Sequence, residues 1–164
     1  MSLYAAETTV SAEKSRAEIE QTLIRYGADQ FAYAWGDKGA TIGFRAHGRY
    51  IKFLLALPDK NNPAFARTPG GRRERDQQGQ YKAWEQSTRQ RWRALALVVK
   101  AKLEAVESGI ATFEEEFLAY IVMPGGKTVA ELVKPGIADA YQGGKVKGLL
   151  PDFSESRGSE RKEK

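Results

Sequence analysis

From Phe31 to Leu57 bulky apolar residues recur at every second position, and from Gln80 to Ser108 they recur at every third or fourth. The chain must therefore join a sheet with one buried face to one long amphipathic helix. In the first stretch Phe31, Tyr33 and Trp35 alternate with Ala32 and Ala34, and Gly36-Asp37-Lys38-Gly39 has the turn chemistry of a short hairpin. A second strand, Ala40 to His47, sets Ile42 and Phe44 on one face and Thr41, Gly43, Arg45 and His47 on the other, and Gly48 permits the next reversal. A third, Arg49 to Leu57, points Ile51, Phe53 and Leu55 one way and Tyr50, Lys52, Leu54 and Ala56 the other before Pro58 ends the ladder. The expected product is a three-stranded antiparallel meander. Its aromatic face needs a cover, because so small a sheet is not stable with that face wet.

The helical stretch supplies the cover. Tyr81, Trp84, Thr88, Trp92, Leu95, Val99, Leu103 and Val106 form one stripe, Gly109 is placed to stop it, and Trp84 and Trp92 read as core. At about 1.5 Å per residue this helix is roughly 40 Å long. An earlier helix is signalled from Ser11, a good N-cap, to Tyr26, with Ile19, Leu23 and Tyr26 in phase and Gly27 after it; residues 1–9 read as a frayed lead-in. Thr112 with Glu115 and Thr128 with Glu131 fit the capping-box spacing, so two short helices should follow. The first ends at Pro124-Gly125-Gly126, and the second kinks or stops at Pro135-Gly136 and can restart toward Tyr141. At 164 residues the chain reads as one α+β domain over 10–150, with a flexible basic loop at 58–79 and a disordered polar tail at 151–164.

Composition then removes several chemistries. There is no cysteine, which excludes a disulfide framework, a thiol nucleophile and Cys-ligated metal. The longest nearly apolar stretch, Ala94 to Val99, is too short for a membrane span, so no membrane partner and a cytoplasmic location are expected. His47 is the only histidine and has no Asp or Ser partner in sequence. Consecutive carboxylates at Glu114-Glu115-Glu116 point about 100° apart on a helix and suit its positive N-terminus better than a shared metal ion. Gly70-Gly71 and Gly125-Gly126 lack the surroundings of a phosphate loop. A small nuclease would need converging carboxylates or a partnered histidine, and neither is visible, so no catalytic residue, metal or cofactor is expected.

The informative feature is charge segregation. Ten basic residues stand against three acidic ones between Lys60 and Lys100, a balance of +7 in a chain whose total is +5, which leaves −2 for everything else. On the long helix Lys82, Arg89, Arg93 and Lys100 fall within an arc of about 40°, and the Trp84, Leu95, Val99 and Val106 stripe is centred more than about 100° away. Such a row, continued by Arg72, Arg73 and Arg75 in the loop, can neutralise a phosphate backbone and release its counterions. Arg45, Tyr50 and Lys52 on the second sheet face lie beside the small residues Ala32, Ala34 and Gly43, where a strand of nucleic acid could lie with Tyr50 stacking on a base.

Ser15-Arg16-Ala17-Glu18-Ile19-Glu20 through Gly27, and Arg89-Gln90-Arg91-Trp92-Arg93-Ala94-Leu95 through Thr112-Phe113-Glu114-Glu115-Glu116-Phe117, resemble stretches of small proteins encoded in bacteriophages, prophages and other bacterial mobile elements. The resemblance covers roughly residues 10–140 and implies a setting of DNA replication, recombination, host-defence interplay or virion assembly. The order of a meander followed by a long helix is also similar to the core of single-strand annealing proteins. The expectation is a non-catalytic, largely sequence-independent nucleic-acid-binding protein, with single-stranded DNA favoured as partner. The alternative is an interaction module, such as an inhibitor or adaptor, whose Arg-rich loop meets an acidic protein. Exposed sheet edges also leave room for a homo-oligomer.

Overall fold

The alternating stretch folds into β1 (Gln30–Gly36), β2 (Gly39–Ala46) and β3 (Arg49–Leu55), antiparallel and in that order across the sheet. The computed structural model describes residues 5, 7–36, 39–144, 148 and 150, so Asp37 and Lys38 of the first expected turn, and the expected tail at 151–164, lie outside the described residues. Tyr33 pairs with Ile42 and Ile42 with Phe53, while Phe31 pairs with Phe44 and Phe44 with Ile51. Directly opposed residues share a face, so the large apolar side chains of the meander fall on one side, except Leu54, which lies with Thr41 and Ala34 on the other and is 63% exposed. Ile42, Phe44, Ile51 and Phe53 are buried there, and Ala32 and Ala34 of the other face are exposed.

The turns explain two differences from the sequence reading. His47 is not the last residue of β2 beside Arg45. It has φ 50 and Gly48 has φ 71, the successive left-handed residues that a type I′ hairpin demands, and its ring centre lies 4.6 Å from that of Phe113. Gly39, with φ 126, opens β2 so close to the end of β3 that a Cβ would stand 2.2 Å from the Leu55 carbonyl oxygen.

Helix α1 (Ala12–Arg25) starts where Ser11 Oγ accepts the Lys14 N–H at 3.2 Å, and it buries Ser15, Ile19 and Leu23. The lead-in is held where it is described: Ala5 is buried, and the Thr8 carbonyl accepts from Gln86 Nε2 at 3.0 Å. Helix α2 (Gln77–Glu107) begins three residues earlier than the apolar period suggests, because Asp76 Oδ1 accepts the Gly79 N–H at 2.7 Å and caps it. Its buried residues are Trp92, Leu95, Ala96, Val99 and Leu103. Trp84 and Thr88 are only half-buried and Tyr81 is exposed, which corrects the place of Trp84 in the core. The reason is length. Thirty-one helical residues extend about 46 Å, whereas an eight-residue strand spans about 26 Å, so the first turns of α2 project past the sheet.

Both capping boxes form: Thr112 with Glu115 opens α3 (Phe113–Phe117), and Thr128 with Glu131 opens α4 (Val129–Gly143). Between them a 3-10 turn at Leu118–Tyr120 leads into Ile121 and Val122, which lie along the outer edge of β3 through an Ile51–Ile121 bridge and a Val122 N–H to Tyr50 carbonyl bond of 2.8 Å. Helix α4 runs through Pro135 without stopping. One N–H is lost, and the carbonyl it would have met belongs to Glu131, an exposed residue that water can reach.

Replacing Gly39 with Ala should lower the unfolding free energy by at least ~2 kcal/mol, the scale of a strained backbone site, read from urea denaturation. Glu131 accepts from the backbone N–H and hydroxyl of Thr128, with Lys52 3.3 Å away, and these bonds hold its carboxyl down at about 2 against an ordinary 4.5. A carboxyl depressed on folding contributes stability that is present above 4.5 and is lost as the pH falls toward about 2. Thermal midpoints should drop across that window, and Glu131→Gln should flatten the drop.

Candidate nucleic-acid interface

The expected basic row does lie along one side of α2, but its centre, Arg89 and Arg93, is half-buried. Arg93 Nη1 donates to Glu18 Oε2 of α1, with its side chain 24% exposed, and Arg89 lies 3.9 Å from Glu85 one turn earlier, 28% exposed. Glu104, four residues beyond Lys100, accepts from Tyr26, the residue that caps the end of α1, at 2.7 Å. This side of the helix is thus the seam on which α1 packs. A helical wheel gives the angle between charged and apolar stripes, but it cannot reveal a second helix seated beside the first. Lys82 and Lys100, at the two ends of the row, are exposed and carry no ion pair among the described residues.

The loop divides its arginines between structure and surface. Arg75 is half-buried and donates to the carbonyls of Phe65 and Arg67, so it fastens the loop. Thr68 and Arg73 are joined by a backbone bond of 2.9 Å and a hydroxyl bond of 3.1 Å, Arg75 N–H meets the Ala66 carbonyl at 2.8 Å, and a 3-10 turn occupies Pro63–Ala66. Composition suggested a flexible linker, and these local bonds between threonine, carbonyl and amide groups give it a hydrogen-bonded conformation. Arg72 and Arg73 project from it, exposed and without an ion pair among the described residues.

On the outer sheet face Arg45 and Lys52 are both engaged. Arg45 grips Asp29 with two nitrogens, Nε at 2.8 Å and Nη2 at 2.6 Å, and this contact holds the Asp29 carboxyl below its usual range. Lys52 donates to the Gly126 carbonyl at 3.0 Å and pairs with Glu131, tying the Gly125-Gly126 turn and the start of α4 to β3. Tyr50 is exposed beside them, with the Arg45 guanidinium 5.8 Å from its ring centre. The face forms an open trough of about 630 Å³ whose lining includes Ala32, Ala34, Gly43, Tyr50, Lys52 and Val122. Its cations are neutralised and its walls are mostly apolar.

A constellation at the head of α2 was not visible from spacing. Tyr81, 47% exposed, and Trp84 stand 5.4 Å apart, the Trp84 indole N–H donates to the Pro58 carbonyl at 2.9 Å, and Lys60 Nζ lies 5.2 Å from the Tyr81 ring centre and 5.9 Å from that of Trp84. The signal that could have found it was an amphipathic stripe longer than the sheet it was meant to cover. Elsewhere Glu114, Glu115 and Glu116 go to three different partners, Arg49, Thr112 and Lys102. Among the described residues no three His, Asp or Glu side chains gather as a ligand set, and no helix is long and apolar enough to cross a membrane. No protein family, curated protein or solved structure matches the chain.

If Arg93 belongs to the α1–α2 seam, Arg93→Glu sets two carboxylates against each other there. It should cost about 1 kcal/mol or more in thermal unfolding, whereas Lys82→Glu should stay within about 0.5 kcal/mol of the wild type.

Proposed function

We propose that this chain binds nucleic acid, without catalysis and largely without regard to sequence, through the loop and projecting head of α2 rather than through the seam side of that helix. One observation carries the reading: the acidic residues of the segment are consumed internally while its cations are left in surplus. Glu74 pairs with Arg67, Glu85 with Arg89, and Asp76 caps α2. Lys60, Arg72 and Arg73 in the loop, Lys82 in the projecting first turns of α2, and Arg91 beside the buried Trp92 remain without an ion pair among the described residues. Long cationic side chains on a projecting element can follow phosphates without reading base edges. Tyr81, exposed beside Lys60 and Lys82, offers a flat ring to an unpaired base. The trough on the sheet contributes little to this reading because Arg45 and Lys52 already have anionic partners.

The test is fluorescence anisotropy with labelled single-stranded and double-stranded oligonucleotides over a salt series. Binding should weaken steeply with salt, with a log-log slope of about 0.7 to 0.9 per phosphate contacted. Arg72→Glu/Arg73→Glu/Lys82→Glu should abolish it, and Arg45→Ala should leave it unchanged. Absence of binding at low salt, or undiminished binding by the triple variant, overturns the proposal and points to an acidic protein as the partner.

A further inference from the structure

The two edges of the sheet are treated differently. Ile121 and Val122 lie along β3, whereas no strand among the described residues pairs with the outer edge of β1. From Gln30 to Gly36 that strand has seven residues with no charge and no proline, and so lacks the devices by which monomeric proteins keep an edge from pairing. Its faces are also unlike a finished surface. Trp35 lies on the core-side face by register with Ala40, yet it is 75% exposed. On the same face a groove of about 260 Å³ runs between α1 and β1, lined by Glu13, Arg16, Ala17, Glu20, Phe31 and Tyr33.

We propose that two copies of the chain associate about a two-fold axis by antiparallel pairing of β1 with β1, in the register that sets Tyr33 opposite Tyr33. Antiparallel pairing is self-complementary, so one uncharged edge supplies both halves of an isologous interface. In this register Trp35 of one copy stands opposite Phe31 of the other, and opposed residues share a face. The exposed indole of each copy is thereby delivered to the α1–β1 groove of its mate. Arg16 lines that groove with its guanidinium 4.8 Å from the Tyr33 ring centre, in position to lie against an incoming indole as well. Ala32 and Ala34 face each other across the axis on the outer side, small enough to continue a flat six-stranded surface. A knob and a matching groove on one molecule, brought together by the only symmetric pairing centred on the strand, select a second copy as the occupant.

Sedimentation velocity of the full chain, free of nucleic acid and across a wide dilution series, tests this together with amide exchange of β1. Trp35→Ala removes the knob, and Ala17→Arg fills the groove from an exposed helical position. The wild type should sediment as a dimer at high concentration, and each variant should self-associate about thirtyfold more weakly or worse, the size of effect expected for a buried aromatic anchor, with an unchanged far-ultraviolet spectrum. The wild-type β1 amides should lose protection on dilution. A wild type that is monomeric throughout, a dimer that survives both variants, or β1 protection that ignores concentration overturns the proposal. None of these outcomes depends on whether the chain binds oligonucleotides.

Discussion

The burial of Phe117 against Phe44 and Phe53 is the contact on which the arrangement depends. Phe44 and Phe53 stack across β2 and β3 with centroids 6.4 Å apart, and Phe117 meets both edge-on at 5.8 and 6.3 Å with no solvent exposure. Three aromatic rings in these geometries contribute more than their area alone. The contact joins segments more than sixty residues apart, and it fixes where α3 lies. The chain leaving α3 then runs along β3, which closes that edge, and β1 has no strand partner on its outer side among the described residues. Lys102 reinforces the position from α2 by pairing with Glu116 and lying 5.9 Å from the Phe117 ring centre. Among the described residues, the closing of the β3 edge is thus a consequence of where a five-residue helix docks.

A second constraint is the mismatch between α2 and the sheet. Only the C-terminal half of the helix finds apolar surface to cover, and the N-terminal half must be stabilised otherwise. Asp76 caps it, Trp84 bonds back to Pro58, and Gln80 Nε2 donates to the Arg75 carbonyl at 3.0 Å. These contacts are polar or at a rim, which lets the segment carry charge that a buried helix could not. The surplus cations therefore sit on the element that projects from the core, where desolvation costs least.

Element identities were legible in the sequence because each rests on local physics. The alternation from Phe31 to Leu55, the Ser11 cap and both capping boxes depend on neighbouring residues and needed no knowledge of the rest. What failed depends on tertiary neighbours. Arg89 and Arg93 satisfy the wheel that places them beside Lys82 and Lys100, but Glu18 lies in another helix and no spacing announces it. Trp84 kept phase with Leu95 and Val99, yet phase says nothing about where the sheet ends. His47 obeyed the strand period, and only the requirement for two successive left-handed residues moves it into the turn. Lys60, Tyr81 and Trp84 come together only because the loop folds back on the helix it precedes.

The two proposed surfaces draw on different forces, and this makes them separable. The head of α2 is rich in cations without an ion pair among the described residues, so binding of a polyanion there would come from counterion release and fall as salt rises. The edge of β1 is uncharged, and the proposed self-pairing would rest on backbone hydrogen bonds and on burying an indole, which salt screens little and kosmotropic salts strengthen. Raising sulfate should thus drive the chain toward dimer while releasing nucleic acid. If the surfaces do operate together, dimerisation presents two basic heads on one particle, and the second engages its strand at the effective concentration set by the rigid sheet between them. Weakening the β1 interface would then reduce affinity for a long polynucleotide far more than for a short one, although no phosphate contact had been touched.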